Sequence, residues 1–190
     1  MSINLAKGGK IDLTKGNPSL KHIMVGLGWD ENTYDGQDFD LDASAFVLRN
    51  NRCTKDTDFV FYNNLEHPSG AVVHMGDNRT GDAEGDDEQI FVDFSKMPSQ
   101  IDRVAFVVTI YEAEERRQNF GQVDNAYIRI VNNDNGEEIC RYDLTEDYSI
   151  ETALVVGEIY KHNGDWKFSA VGSGFQGGLA ALVRKYGLDA

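Results

Sequence analysis

Thr152-Ala153-Leu154-Val155-Val156-Gly157-Glu158-Ile159-Tyr160-Lys161-His162-Asn163-Gly164-Asp165-Trp166-Lys167-Phe168-Ser169-Ala170-Val171 is the stretch that reads most plainly in this chain of 190 residues. Two β-prone runs flank an Asn-Gly pair, a strong short-range hairpin signal because the two-residue turn between twisted strands needs positive φ at both positions. In the first run Val155, Gly157, Ile159 and Lys161 alternate with Val156, Glu158, Tyr160 and His162, the period of an extended strand. Outward from there, Asn132-Asn133-Asp134-Asn135-Gly136 separates a second pair of runs, 127–131 and 139–144. Further strands are expected over 3–5, 22–29, 41–48, 59–62, 72–75, 88–92 and 103–110. Helical signals are confined to a short charged piece over 112–119 and to 178–187, where good helix formers end in basic residues and a glycine. About ten short strands with two helical pieces predict a mainly β fold. The expected architecture is a β-sandwich of two antiparallel or mixed sheets, with a short helix near 112–119 and a C-terminal helix.

The length suits one domain, and 41% apolar residues suffice for a sizeable core. A formal charge of −14 opposes direct nucleic-acid binding, which needs Lys and Arg against phosphates. The same charge repels an anionic membrane unless a cation bridges the two. Cys53 and Cys140 are too far apart in sequence to read as a disulfide framework or a zinc site, so reduced, buried thiols are expected. The opening residues have no apolar signal region and no run approaches a membrane span, which points to the cytoplasm.

Two stretches are crowded with carboxylates. Residues 30–42 and 76–88 carry six Asp or Glu each, twelve of the chain's 32, with Arg79 the only fixed positive charge inside either. Carboxylates packed this closely repel one another unless a cation sits among them. Oxygen-rich, glycine-punctuated loops without Cys or His clusters suit a hard divalent ion, Ca²⁺ before Mg²⁺. Asp40 and Asp42, two apart at the mouth of a strand, project to one side of it, and Asp38 joins them if the extended chain reaches that far back. Asp77 follows the strand at 72–75, while Asp86, Asp87 and Glu88 precede the next one. Asp77 and Glu88 have the first-to-twelfth spacing of an EF-hand loop, but Arg79 and Gly81 stand at its third and fifth positions and no helix pair flanks it. Loops converging at one end of a sandwich fit better.

At these residues the chain resembles a known family. Asp40-Leu41-Asp42-Ala43-Ser44, Gly76-Asp77-Asn78-Arg79-Thr80-Gly81 with Gly85-Asp86-Asp87-Glu88, and Phe120-Gly121-Gln122-Val123 look like the TerD-type tellurium-resistance and stress-response proteins. The opening residues 3–9, Gly26-Leu27-Gly28-Trp29-Asp30 and the closing 164–187 segment match as well, so the resemblance covers essentially the whole chain, 1–190, as one such domain. It implies a non-enzymatic Ca²⁺-binding β-sandwich with two ions held between loops, in bacterial resistance to tellurite, other toxic agents and phage. Carried over by position, Asp40, Asp42, Asp77, Asn78, Asp86, Asp87 and Glu88 are the implied ligands. Asp30 and Asp38 join them, and Glu112, in a further matching signature, caps the site from a neighbouring strand end.

The remaining constellations read as structural. His22, His67, His74 and His162 are scattered without telling partners, and the 172–178 glycine run lacks the Lys-Ser/Thr ending of a phosphate loop. The leading reading is a calcium-dependent interaction module, in the cytoplasm or peripheral to the inner membrane. Its partners would be proteins of the stress-response system, with anionic lipid reached through a bridging cation. The alternatives are a hydrolase using Ca²⁺ or Mg²⁺ as Lewis acid, and a metal-independent acidic scaffold whose capture of basic partners ignores EDTA.

Overall fold

A computed structural model describes residues 1–31, 39–76 and 85–190. Among these residues, twelve strands form two six-stranded sheets. They are β1 (Ile3–Leu5), β2 (Lys10–Asp12), β3 (His22–Glu31), β4 (Leu41–Leu48), β5 (Phe59–Val60), β6 (Val72–His74), β7 (Glu88–Asp93), β8 (Arg103–Ile110), β9 (Val123–Asn132), β10 (Glu138–Asp143), β11 (Ala153–His162) and β12 (Asp165–Phe175). One sheet runs β1-β10-β9-β3-β7-β6 and the other β2-β12-β11-β8-β4-β5. The β1–β10 pair is parallel and every other named pair is antiparallel. The mainly β sandwich expected from the strand pattern is the fold observed.

The Asn163-Gly164 hairpin forms as read: His162 pairs with Asp165, and both turn residues have positive φ, 52° and 83°. Inward rows from both sheets meet in one core. Ile23, Val25 and Leu27 of β3 and Ile128 and Ile130 of β9 face Ala43, Ala45 and Val47 of β4 and Val104, Phe106 and Val108 of β8. The other face of the second sheet is apolar too. Phe46, Leu48, Val107 and Val155 pack beneath Leu179, Leu182 and Val183 of the C-terminal helix α2 (Gly178–Lys185). Covering on both sides explains why β4 is buried at all eight positions, and why 43–48 reads as a nearly unbroken apolar run.

Three elements depart most from the sequence reading. The helix expected over 112–119 is a single turn, α1 (Ala113–Arg116), because Glu112 and Arg117 at its ends sit in the left-handed region, with φ of 51° and 54°. The strand expected over 59–62 stops at Val60, since Phe61 and Asn64 exchange backbone hydrogen bonds in a tight turn. Strand β2 has one apolar residue, Ile11, and gives no periodic signal; it exists because β12 offers it a ladder. Among the described residues no helix is long and apolar enough to cross a membrane.

Candidate functional site

Strand direction carries the described acidic residues to one end of the sandwich. Asp30 lies near the end of β3, Glu88 opens β7 beside it with Asp87 just before, and Leu27 pairs with Glu88. Asp40 and Asp42 enter β4, Leu41 pairs with Ile110 at the end of β8, and the Asp40 carbonyl accepts from Tyr111 N at 2.8 Å. Glu112 follows immediately. Asp38, Asp77 and Asn78 lie outside the described residues.

The described carboxylates fall into two groups. On the first sheet, Asp87 is buried, and its Oδ2 accepts from Trp29 N at 2.8 Å. Burial pushes its carboxyl above the usual range; the Trp29 N–H opposes this, while the Asp30 and Asp86 charges add to it. Asp30 is exposed and accepts from Asn125 Nδ2 at 2.6 Å. On the second sheet, Asp42 pairs across the ladder with Thr109, on the face that α2 covers further along. It lines a cleft of about 370 Å³ with Tyr62, Tyr111, Glu112 and Glu115. Asp40 is half-buried, and Glu112 Oε2 lies 3.3 Å from Arg116.

Glu88 joins the two groups. It is 2% exposed and crosses from the first sheet to the second, where its Oε2 accepts from Ala43 N at 2.6 Å. His74, on β6, lies within 3.0 Å of the Ala43 carbonyl and 3.3 Å of the same Glu88 oxygen through Nε2. Gly76 N donates to His74 Nδ1, so Nε2 is the ring nitrogen that carries the proton in the neutral imidazole. Burial disfavours the imidazolium, yet the Glu88 carboxylate, the Ala43 carbonyl and the nearby Asp42 charge raise the His74 pKa. Sequence reading treated His74 as an ordinary strand residue. Alternation at Val72-Val73-His74 is the one signal that placed it inward.

Asp86 has a different role from the one its position implied. Its Oδ1 accepts from Tyr127 Oη at 2.9 Å and Arg129 Nε at 2.7 Å, and its Oδ2 from Arg129 Nη2 at 2.8 Å and Gln89 Nε2 at 3.2 Å. A carboxylate has about four acceptor positions, and all four are taken. The side chain is fully buried against Gly26, where an added Cβ would collide with the carboxylate. Asp86 therefore anchors the second acidic stretch to the outer face of the first sheet and leaves no lone pair for an ion. Neither Tyr127 nor Arg129 stood out in the sequence, because their pairing is made by strand neighbours 41 and 43 residues away.

The TerD domain model matches residues 1–186 of this chain. The chain belongs to the TerD family. It is 60% identical over 191 residues to general stress protein 16U of Bacillus subtilis, covering 100% of this chain and 99% of that protein. Identity to the tellurium resistance protein TerD of Serratia marcescens is 56% over 191 residues, with both chains covered in full. A crystal structure of a homologue of telluride resistance protein from Streptomyces coelicolor superposes with a TM-score of 0.70 at 22% identity, covering 87% of this chain and 95% of that one, and so shares the fold. Among the described residues of this TerD-family chain, no group of three or more His, Cys, Asp or Glu side chains is arranged to hold a metal ion. The oxygens gathered at this end nevertheless suit a hard cation: the described donors are carboxylates, no thiol is near, and the carboxyl of Asp87 is strained toward its neutral form by burial and like charge.

Proposed function

We propose that this TerD-family chain is a non-enzymatic Ca²⁺-binding protein of a bacterial tellurite-resistance and stress-response system. In this reading it takes two ions in the acidic inter-strand loops and acts as a calcium-dependent interaction module in the cytoplasm or at the inner membrane surface. The observation that carries the reading is the buried, charge-crowded Asp87 next to Glu88, on the border of the second acidic stretch. The two-group arrangement supports two ions. Asp30, Asp87 and Glu88 would hold one with Asp77 and Asn78, and Asp40, Asp42 and Glu112 the other with Asp38. Asp86 serves as the anchor of the loop. A bound Ca²⁺ supplies charge neutralisation and a rigid link between loops. Its partners would be proteins of the same system, with anionic lipid reached through a shared ion.

Isothermal titration with Ca²⁺ and with Mg²⁺, on the wild type and on Asp87→Ala, tests this. Ca²⁺ should bind with measurable heat and raise Tm, because a ligand stabilises the state that binds it. Asp87→Ala should bind more weakly and lose most of the shift. Absence of both heat and Tm shift in the wild type would sink the reading.

A further inference from the structure

The end of the sandwich opposite the acidic stretches holds a cleft of about 340 Å³, of the size that encloses small ligands. It lies between the 14–21 segment, the turn that follows β7 and the β11–β12 turn. Its walls include Lys15, Lys21, Pro18, Phe94 and Trp166. Phe94 stacks on Trp166 with ring centroids 5.4 Å apart, and Lys161 Nζ stands 5.2 Å from the Trp166 ring.

Hydrogen bonds from backbone N–H groups fix these walls. Trp166 N donates to Thr14 Oγ1 at 2.8 Å, Leu13 N donates to Trp166 O at 3.0 Å, and Phe94 N donates to Lys21 O at 2.8 Å. Lys15 and Lys21 are exposed at the rim. Among the described residues, lysine ion pairs are made by Lys7, Lys96 and Lys167, not by these two. The one carboxylate of the lining, Asp165, lies 3.5 Å from the Thr14 hydroxyl. Two lysines that make no ion pair among the described residues thus share the cleft with two aromatic rings and one carboxylate, a locally positive lining in a chain of charge −14.

We propose that this cleft is a second ligand site, which takes a small phosphorylated compound carrying a planar ring. The phosphate sits between Lys15 and Lys21, which act as compact point charges, and the ring lies against Phe94. The overall negative charge selects a small free ligand over a nucleic-acid strand, whose extended phosphates would meet the acidic surface beyond the cleft. The site is independent of the calcium reading, since it shares no residue with the acidic end.

The test uses Trp29→Phe, which leaves Trp166 as the only tryptophan and therefore the reporter. Its fluorescence is followed while AMP, adenosine or inorganic phosphate is added at low salt, with EDTA and with Ca²⁺, and calorimetry on the wild type provides a second readout. AMP should bind saturably and at least tenfold tighter than either fragment, equally with and without Ca²⁺. The Lys15→Gln/Lys21→Gln double variant, altered only at exposed positions, should lose at least tenfold in affinity while keeping its Tm. The proposal is overturned if AMP shows no saturable binding up to millimolar concentration, or if the double variant binds AMP as the wild type does. It is equally overturned if inorganic phosphate matches AMP.

Discussion

Asp58 is the buried charge whose removal has the most readable consequence. It is 1% exposed, and its Oδ2 accepts from Thr54 N at 2.8 Å, Lys55 N at 3.1 Å and Arg49 Nη1 at 2.8 Å. His67 Nε2 lies 3.1 Å from its Oδ1, and Ser69 N donates to His67 Nδ1, so the imidazole donates to Asp58 through Nε2. The hub ties the corner between β4 and β5 to the segment that leads into β6, one sheet to the other. Ser69 Oγ, 2.7 Å from His67 Nδ1, also accepts from Ala71 N, the pattern of a local turn rather than of a nucleophile. Breaking a buried, hydrogen-bonded ion pair by removing one partner costs about 3–5 kcal/mol. The Arg49 side chain is 23% exposed and regains water when freed, so Asp58→Ala belongs at the low end, about 3 kcal/mol. At about 2–4 °C per kcal/mol for a domain of this size, Tm should fall by roughly 6–12 °C. Asp58→Asn keeps the volume and can turn its carbonyl to the backbone donors, so about half that loss is expected.

The pH dependence supplies the sharper check. Burial alone would raise the Asp58 carboxyl, but the Thr54 N–H, the His67 imidazole, the Arg49 charge and the Lys55 N–H together hold it below the usual range. A depressed carboxylate stabilises fully above its unfolded-state pKa of about 3.9, and that stability is lost as pH falls through the lower folded-state value. Urea unfolding in EDTA should therefore show a constant gap between wild type and Asp58→Ala from pH 7 to about pH 5, shrinking below about pH 4. A gap under about 1 kcal/mol at neutral pH, or one that widens in acid, would refute the reasoning.

Three further outcomes follow from burial. Leu182, fully buried between α2 and the second sheet, should lose about 2–5 kcal/mol on truncation to Ala, read by chemical denaturation. Gly26→Val forces a side chain into the Asp86 carboxylate and should cost about 1–3 kcal/mol, with hydrogen exchange rising first at the β3–β7 ladder. Cys53 and Cys140 have thiols pushed up to about 12, mainly by burial, with the Asp58 and Glu138 charges adding to it. Both should react with a thiol reagent at pH 8 only when urea is present; rapid labelling of the native protein would contradict their placement.

The hairpins and the two-sheet architecture were legible because Asn-Gly turns and period-2 alternation are local signals. Strand β2 was not, since Lys10 and Asp12 flank a single apolar residue and its existence depends on β12. At the acidic end, alternation gave Asp40 and Asp42 a common side of the strand, and the structure places Asp42 in a cleft with Thr109. Alternation did not say which face of the second sheet that side becomes, because packing of α2 decides this. Asp86 shows the same limit: its run of acids looks like a ligand set, and only the distant strand β9 reveals Arg129 waiting for it.

The clasp on Ala43 has a consequence beyond the site. Among the described residues, strand β5 pairs with Ala45 and Phe46 and no strand pairs with the start of β4 on that side. Glu88 takes the Ala43 N–H and His74 lies against its carbonyl, so two side chains stand where a neighbouring strand would. A sheet edge sealed in this way offers no template to a second molecule. Glu88→Ala would unseal it, and light scattering of the folded variant should show self-association that the wild type lacks.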